Sequence, residues 1–215
     1  MNRFVWDMRY ADAMRFPCLI MWAGGVRGPQ IIPAQYQVRL TVEGKSETQP
    51  FKVKKDPRAP TTREDFEKQL ALALQIRDKL SQTNKGVIEI RQAKSQLERF
   101  AASDNKTVAE AAKEFSKKLT AVEQELYQSK NQALEDPLNF PIKLNNKIAA
   151  LGGVVASTDI APTTQSTMVY EDLASQINAQ LAKLGHLLKD DLAAFNKLVR
   201  DQNVPAVVLK AVKAE

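Results

Sequence analysis

The chain has 215 residues, with 31 Lys+Arg against 25 Asp+Glu, one His and one Cys. At 44% apolar and 26% charged it is neither disordered nor collagen-like, and its length fits one large domain or two small ones. A lone Cys18 excludes an internal disulfide framework, a lone His186 excludes a His-rich metal centre, and no stretch approaches the roughly 18 unbroken apolar residues of a membrane span.

From the N-terminus, Arg3, Asp7, Arg9, Asp12 and Arg15 break every apolar run, so residues 1–22 do not read as a signal peptide. Phe4-Val5-Trp6 and Leu19-Ile20-Met21-Trp22 read as strands. Between Gly24 and Pro29 the glycines invite a phosphate-loop reading, but the segment leads into Pro29 and Ile31-Ile32 instead of a helix, so it is a turn. Tyr36, Val38, Leu40 and Val42 alternate with Gln37, Arg39, Thr41 and Glu43, the pattern of a half-buried strand. Glu43-Gly44-Lys45-Ser46 supplies a tight turn, and Phe51 and Val53 alternate with lysines on the return strand. Four strands make about half of a β-sandwich.

Two prolines in Asp56–Pro60 stop a strand and forbid a helix, which places a boundary there. Residues 1–60 carry ten basic and five acidic residues and both tryptophans, whereas charge nearly balances beyond them. Thr61 and Thr62 then stand three residues before Glu64 and Asp65, a capping-box spacing. A long first helix follows on Phe66, Leu70, Leu74, Leu80, Val87, Ile90, Leu97 and Phe100, with Asn84-Lys85-Gly86 as a point of interruption. Thr107 with Glu110 caps a second, whose Val108, Ala112, Phe115, Leu119, Val122 and Leu126 form one seam. A short helix with Leu144, Ile148 and Leu151 inward stops at Gly152-Gly153. The last long helix carries Leu173, Ile177, Leu181, Leu184, Leu188, Leu192, Phe195 and Val199, ended by Pro205 and followed by an apolar tail over 204–212. The expected fold is α+β: a partial antiparallel β-sandwich over 1–58, then an antiparallel helical bundle over 59–215.

Asn2-Arg3-Phe4-Val5-Trp6-Asp7, Gly28-Pro29, Tyr36-Gln37-Val38-Arg39-Leu40 and Val53-Lys54-Lys55-Asp56-Pro57-Arg58 form a sequential set. Together with Pro141–Lys147, Tyr170–Leu173 and Phe195–Val199 in the helical part, this set resembles the C-terminal region of bacterial glycosyl hydrolase or sortilin-like BNR-repeat β-propeller proteins. The resemblance implies fibronectin type III-like strands followed by a helical tail, in a parent protein that is secreted or periplasmic. It departs at Ala34 and Cys18, where glycine is usual. The propeller and its S-x-D-x-G-x-T-W boxes do not occur here, so no catalytic residue carries over.

Site candidates are few. Trp6, Tyr10 and Trp22 are the residues for a sugar-binding aromatic platform, though the same side chains better suit a sandwich core, where they contribute large buried area. His186 with Asp190 and Asp191 is the one place for a general base or metal ligand, and calcium or another divalent ion is the cofactor that converging carboxylates would take. Adjacent acids on a helix point about 100° apart and make no ready acid/base pair. Cys18, beside Leu19 and Ile20, reads as a buried thiol. Lys52, Lys54, Lys55 and Arg58 read as a solvated edge, and a net charge of +6 is too modest to argue for nucleic acid. The expected function is a non-catalytic accessory or interaction module, with a small metal-assisted hydrolase of esters or lactones and a carbohydrate-binding module as alternatives. Half a sandwich leaves an apolar face open, so the expected partner is a second copy, docked through residues 1–55, or the missing propeller.

Overall fold

A computed structural model of the chain describes residues 3–202. It is α+β: a two-stranded antiparallel sheet and a set of packed helices. The expected helix end at Pro205 and the apolar run 204–212 lie outside the described residues.

The strands are β1 (Gln35–Val42) and β2 (Lys45–Lys52), in register from Gln35 opposite Lys52 to Val42 opposite Lys45. The two-residue turn between them holds Glu43 at φ 49° and Gly44 at φ 81°, the left-handed pair that matches strand twist. The two further strands expected at 4–6 and 19–22 are not formed, and a sandwich is not present among the described residues.

The helices are α1 (Arg63–Ala101), α2 (Lys106–Leu126), α3 (Leu144–Val155), α4 (Thr164–His186) and α5 (Leu192–Asp201), with a π turn at Leu187–Asp191 joining the last two. Thr62 caps α1 as expected: its hydroxyl accepts from the Asp65 amide, and the Asp65 carboxylate accepts from the Thr62 amide. For α2 the cap is Asn105 and not Thr107, because the Asn105 side chain reaches the Val108 amide. α3 runs through Gly152-Gly153 to Val155.

At 39 residues α1 is about 58 Å long, and it is unbroken at 84–86. Asn84 is fully buried there, and Gly86 lies close under α4: a Cβ on it would come within 2.8 Å of Leu181 Cδ2, so that side chain would have to shift. The other helices lie along this axis. α2 reverses over its C-terminal half, where Glu123 meets Arg91 and Lys94. α3 reverses over its N-terminal half, where Asn145 meets Asn84 and Gln69 donates to the Val155 carbonyl. α4 and α5 run in the same sense as α1, from Lys79–Asn178 to the edge-to-face contact of Phe100 with Phe195. Most of the expected seam positions are buried, including Val108, Leu119, Leu126, Ile148, Ile177 and Val199, whereas Leu70, Leu74, Leu181 and Leu188 are half-buried.

Residues 8–31 form a strap over these helices. Its two arms face each other through the Ile31 amide to Met8 carbonyl, Tyr10 amide to Pro29 carbonyl and Ala13 amide to Val26 carbonyl bonds. Its middle has no neighbouring strand because helix side chains take its backbone groups. Ser81 Oγ accepts from the Met14 amide, and Asn84 donates to the Met14 carbonyl. The Tyr127 hydroxyl accepts from the Ile20 amide and donates to the Cys18 carbonyl. Asn146 accepts from the Trp22 amide and donates to the Trp22 carbonyl. That is why Leu19–Trp22, apolar in sequence, is not a strand. Ala13, Phe16 and Val26 belong to the same core as the helices, so what stands apart from that core within residues 1–58 is the hairpin.

Candidate functional site

Side chains at 36, 38, 40 and 42 share one face of the hairpin, as period two dictates. At its base the Tyr36 and Phe51 rings stack at 5.8 Å across the strands, and Trp6 sets an edge against both, at 6.3 and 6.2 Å. Trp6 Nε1 donates to the Arg9 carbonyl and the Tyr36 hydroxyl donates to the Ile32 carbonyl, which anchors this aromatic group to the strap. Burial and the neighbouring Tyr10 hold the Tyr36 hydroxyl above its ordinary pKa, against the bond to Ile32. Toward the tip, Val38, Leu40 and Val42 are 55%, 65% and 57% exposed. Phe4 and Val5 are exposed as well. The result is a projecting apolar face with aromatic residues at one end.

Of the three residues expected for a sugar platform, Trp6 and Tyr10 therefore lie at the hairpin base. Trp22 is clamped by its backbone to Asn146 on α3, and no ring contact joins it to the others among the described residues.

His186 immediately precedes the π turn, and Asp190 and Asp191 are its last two residues. His186 Nδ1 lies 3.5 Å from Asp190 Oδ2, with side chains 79% and 61% exposed, and Asp191 is instead bound to Lys118 of α2 at 2.5 Å. The turn thus divides the neighbouring acids between two partners. Among the described residues no group of three or more His, Cys, Asp and Glu is placed to hold a metal ion.

Two features escaped the sequence reading. Glu123, only 3% exposed, accepts from Arg91 at 2.9 Å and Lys94 at 2.8 Å. Burial alone pushes its carboxyl up, but the two cations outweigh it and hold the group below its ordinary value. Arg91 also covers the Phe16 and Tyr127 rings, so this charge cluster fastens the strap to α1 and α2. The other feature is the set of Asn84, Asn145 and Asn146, whose one signal in sequence is polar residues inside apolar stripes. Cys18, expected buried, is exposed at φ 60° where the strap turns a corner after Pro17.

A cleft of about 260 Å³ opens between strap, α1 and α3, rimmed by Arg9, Arg27 and Arg77. Each guanidinium is engaged within the fold, by the Gly28 carbonyl, by Asp7, and by Asp78 with the Ala11 carbonyl. The cleft is a joint between strap and helices. Compared with known protein families, curated proteins and solved structures, the chain matches none.

Proposed function

We propose that the chain is a non-catalytic interaction module, in which the helices and strap are a carrier and the hairpin is the docking element. One observation carries the reading: Val38, Leu40 and Val42 are more than half exposed on a hairpin that, among the described residues, has no facing layer. Contiguous exposed apolar surface on a soluble protein marks an interaction site, and an isolated two-stranded hairpin is marginal until something packs on it. The resemblance of the strand motifs supports placing this module at the C-terminal side of a larger extracytoplasmic propeller-bearing protein. Its partner is then that protein or a second copy.

The test has two arms. Replacing Val38, Leu40 and Val42 together by Ser abolishes concentration-dependent association while leaving the helical melting transition in place. An ester and lactone panel, run with calcium and with chelator, gives no turnover. Turnover that disappears in His186→Ala without unfolding overturns the reading in favour of a metal-assisted hydrolase.

A further inference from the structure

The two edges of the hairpin are not equivalent. The Val53 amide donates to the Ala34 carbonyl at 2.9 Å, which fixes the even positions of β1 as those bonded to β2. By alternation, the amides and carbonyls of Gln35, Gln37, Arg39 and Thr41 face outward on the β1 side. On the β2 side the outward positions are Ser46, Thr48, Pro50 and Lys52. Pro50 removes a donor in the middle of that edge, and Lys45, Glu47 and Lys52 charge the strand, the devices by which natural edges resist pairing. β1 carries no proline and one charge, Arg39. One edge is defended, and the other is unpaired among the described residues.

Resting on the docking reading above, we propose that β1 pairs through its outer edge with β1 of a second copy, antiparallel about a two-fold axis at Val38. In that register Gln37 faces the second copy's Arg39 and Gln35 faces its Thr41, so all four outward positions on each chain are bonded. Shifting the axis by one residue to Arg39 sets two guanidiniums directly opposite each other, which like charge disfavours. Shifting it to Leu40 leaves Gln35 beyond the second copy's strand.

The Val38 register is also complementary in its apolar residues. Leu40 of one copy lies opposite Tyr36 of the other, whose ring already carries Trp6 at its edge. The exposed end of each hairpin thus meets the aromatic end of its neighbour, and Val38 meets Val38. The self-complementarity, with no like charges opposed, favours a second copy over an unrelated strand.

Across this junction the even positions are non-hydrogen-bonded pairs, about 4.5 Å apart at Cα, inside the roughly 4.4–6.8 Å that a disulfide spans. Val38→Cys and Val42→Cys are made separately in a Cys18→Ser background of the full chain, each at a position more than half exposed. Mild oxidation is expected to link Val38→Cys into a dimer severalfold more completely than Val42→Cys, whose opposite residue is Ala34. Equal linking of the two, or none, overturns the register. Light scattering separates the larger questions. A doubled mass without Val38→Cys linking means that the copies meet elsewhere. A mass of 24.0 kDa at every concentration means that the docking face takes a different partner and the second-copy proposal is wrong. Gln37→Pro, which deletes one outward amide just as Pro50 does on β2, is expected to return the wild-type dimer to monomer with its helical melting unchanged.

Discussion

Asn146 on α3 is 4% exposed, and its amide holds both the Trp22 N–H and the Trp22 carbonyl. Replacing it by Ala deletes two hydrogen bonds, each worth about 0.5–1.5 kcal/mol net, and leaves half-buried backbone groups unsatisfied at a further cost of about 1–3 kcal/mol. Water reaches part of that site once the side chain is gone, so the expected loss is about 2–4 kcal/mol. For a chain of this size it lowers the melting temperature by roughly 4–16 °C. Urea titration followed by circular dichroism at the helical band reads the free energy directly, and trypsin cutting at Arg15 and Arg27 reads release of the strap. Both are expected to change together. Asn146→Ala within about 0.5 kcal/mol of wild type, the scale of an ordinary surface substitution, with no faster cutting, refutes the clamp as what holds the strap to the helices.

Glu123→Gln is expected to cost about 1–3 kcal/mol at neutral pH. That is less than the loss of a fully buried pair, because Arg91 and Lys94 can turn to solvent. The folded carboxyl lies below its unfolded value, so its contribution is full above the unfolded pKa and lost as pH falls through the folded one. The acid limb of a stability–pH curve is therefore shallower in Glu123→Gln, and the two proteins converge at low pH. Leu119→Ala, at a fully buried seam position, costs about 2–5 kcal/mol by denaturant titration, whereas Leu40→Ser on the hairpin stays within about 0.5 kcal/mol. Gly86→Leu forces α4 away from α1 and costs about 1–3 kcal/mol, measurable as a lowered melting temperature. His186→Ala changes stability by less than about 1 kcal/mol, as expected for an exposed pair.

The helices were legible because each carries an apolar stripe at helical spacing; Leu119, Ile148 and Ile177 announce themselves by that spacing alone, whereas the ends were less legible, since α2 is capped by Asn105 and α3 runs on through Gly152-Gly153. The hairpin was legible from the alternation over Tyr36–Val42 and the Glu43-Gly44 turn. The strap was not. Its Leu19-Ile20-Met21-Trp22 run is apolar like a strand, but strand or strap is decided by what bonds its amides, and those groups come from Tyr127 and Asn146, more than 100 residues away. Asn84-Lys85-Gly86 looked like a break for the same reason: an asparagine that bonds the strap and a glycine that admits Leu181 are poor helix formers locally and good neighbours in the fold. The face of Val38, Leu40 and Val42 is apolar as the alternation says, and the open face expected of half a sandwich is found on two strands instead of four.

Residue-resolved amide hydrogen exchange on the full chain, at low and at high protein concentration, tests the hairpin's role most directly. At low concentration the outward amides on both strands exchange quickly. At high concentration those of Gln35, Gln37, Arg39 and Thr41 become protected, while Ser46, Thr48 and Lys52 on the opposite edge stay fast. Unchanged exchange along β1 at both concentrations, or new protection appearing on the helices instead, contradicts the hairpin as the surface through which the chain associates.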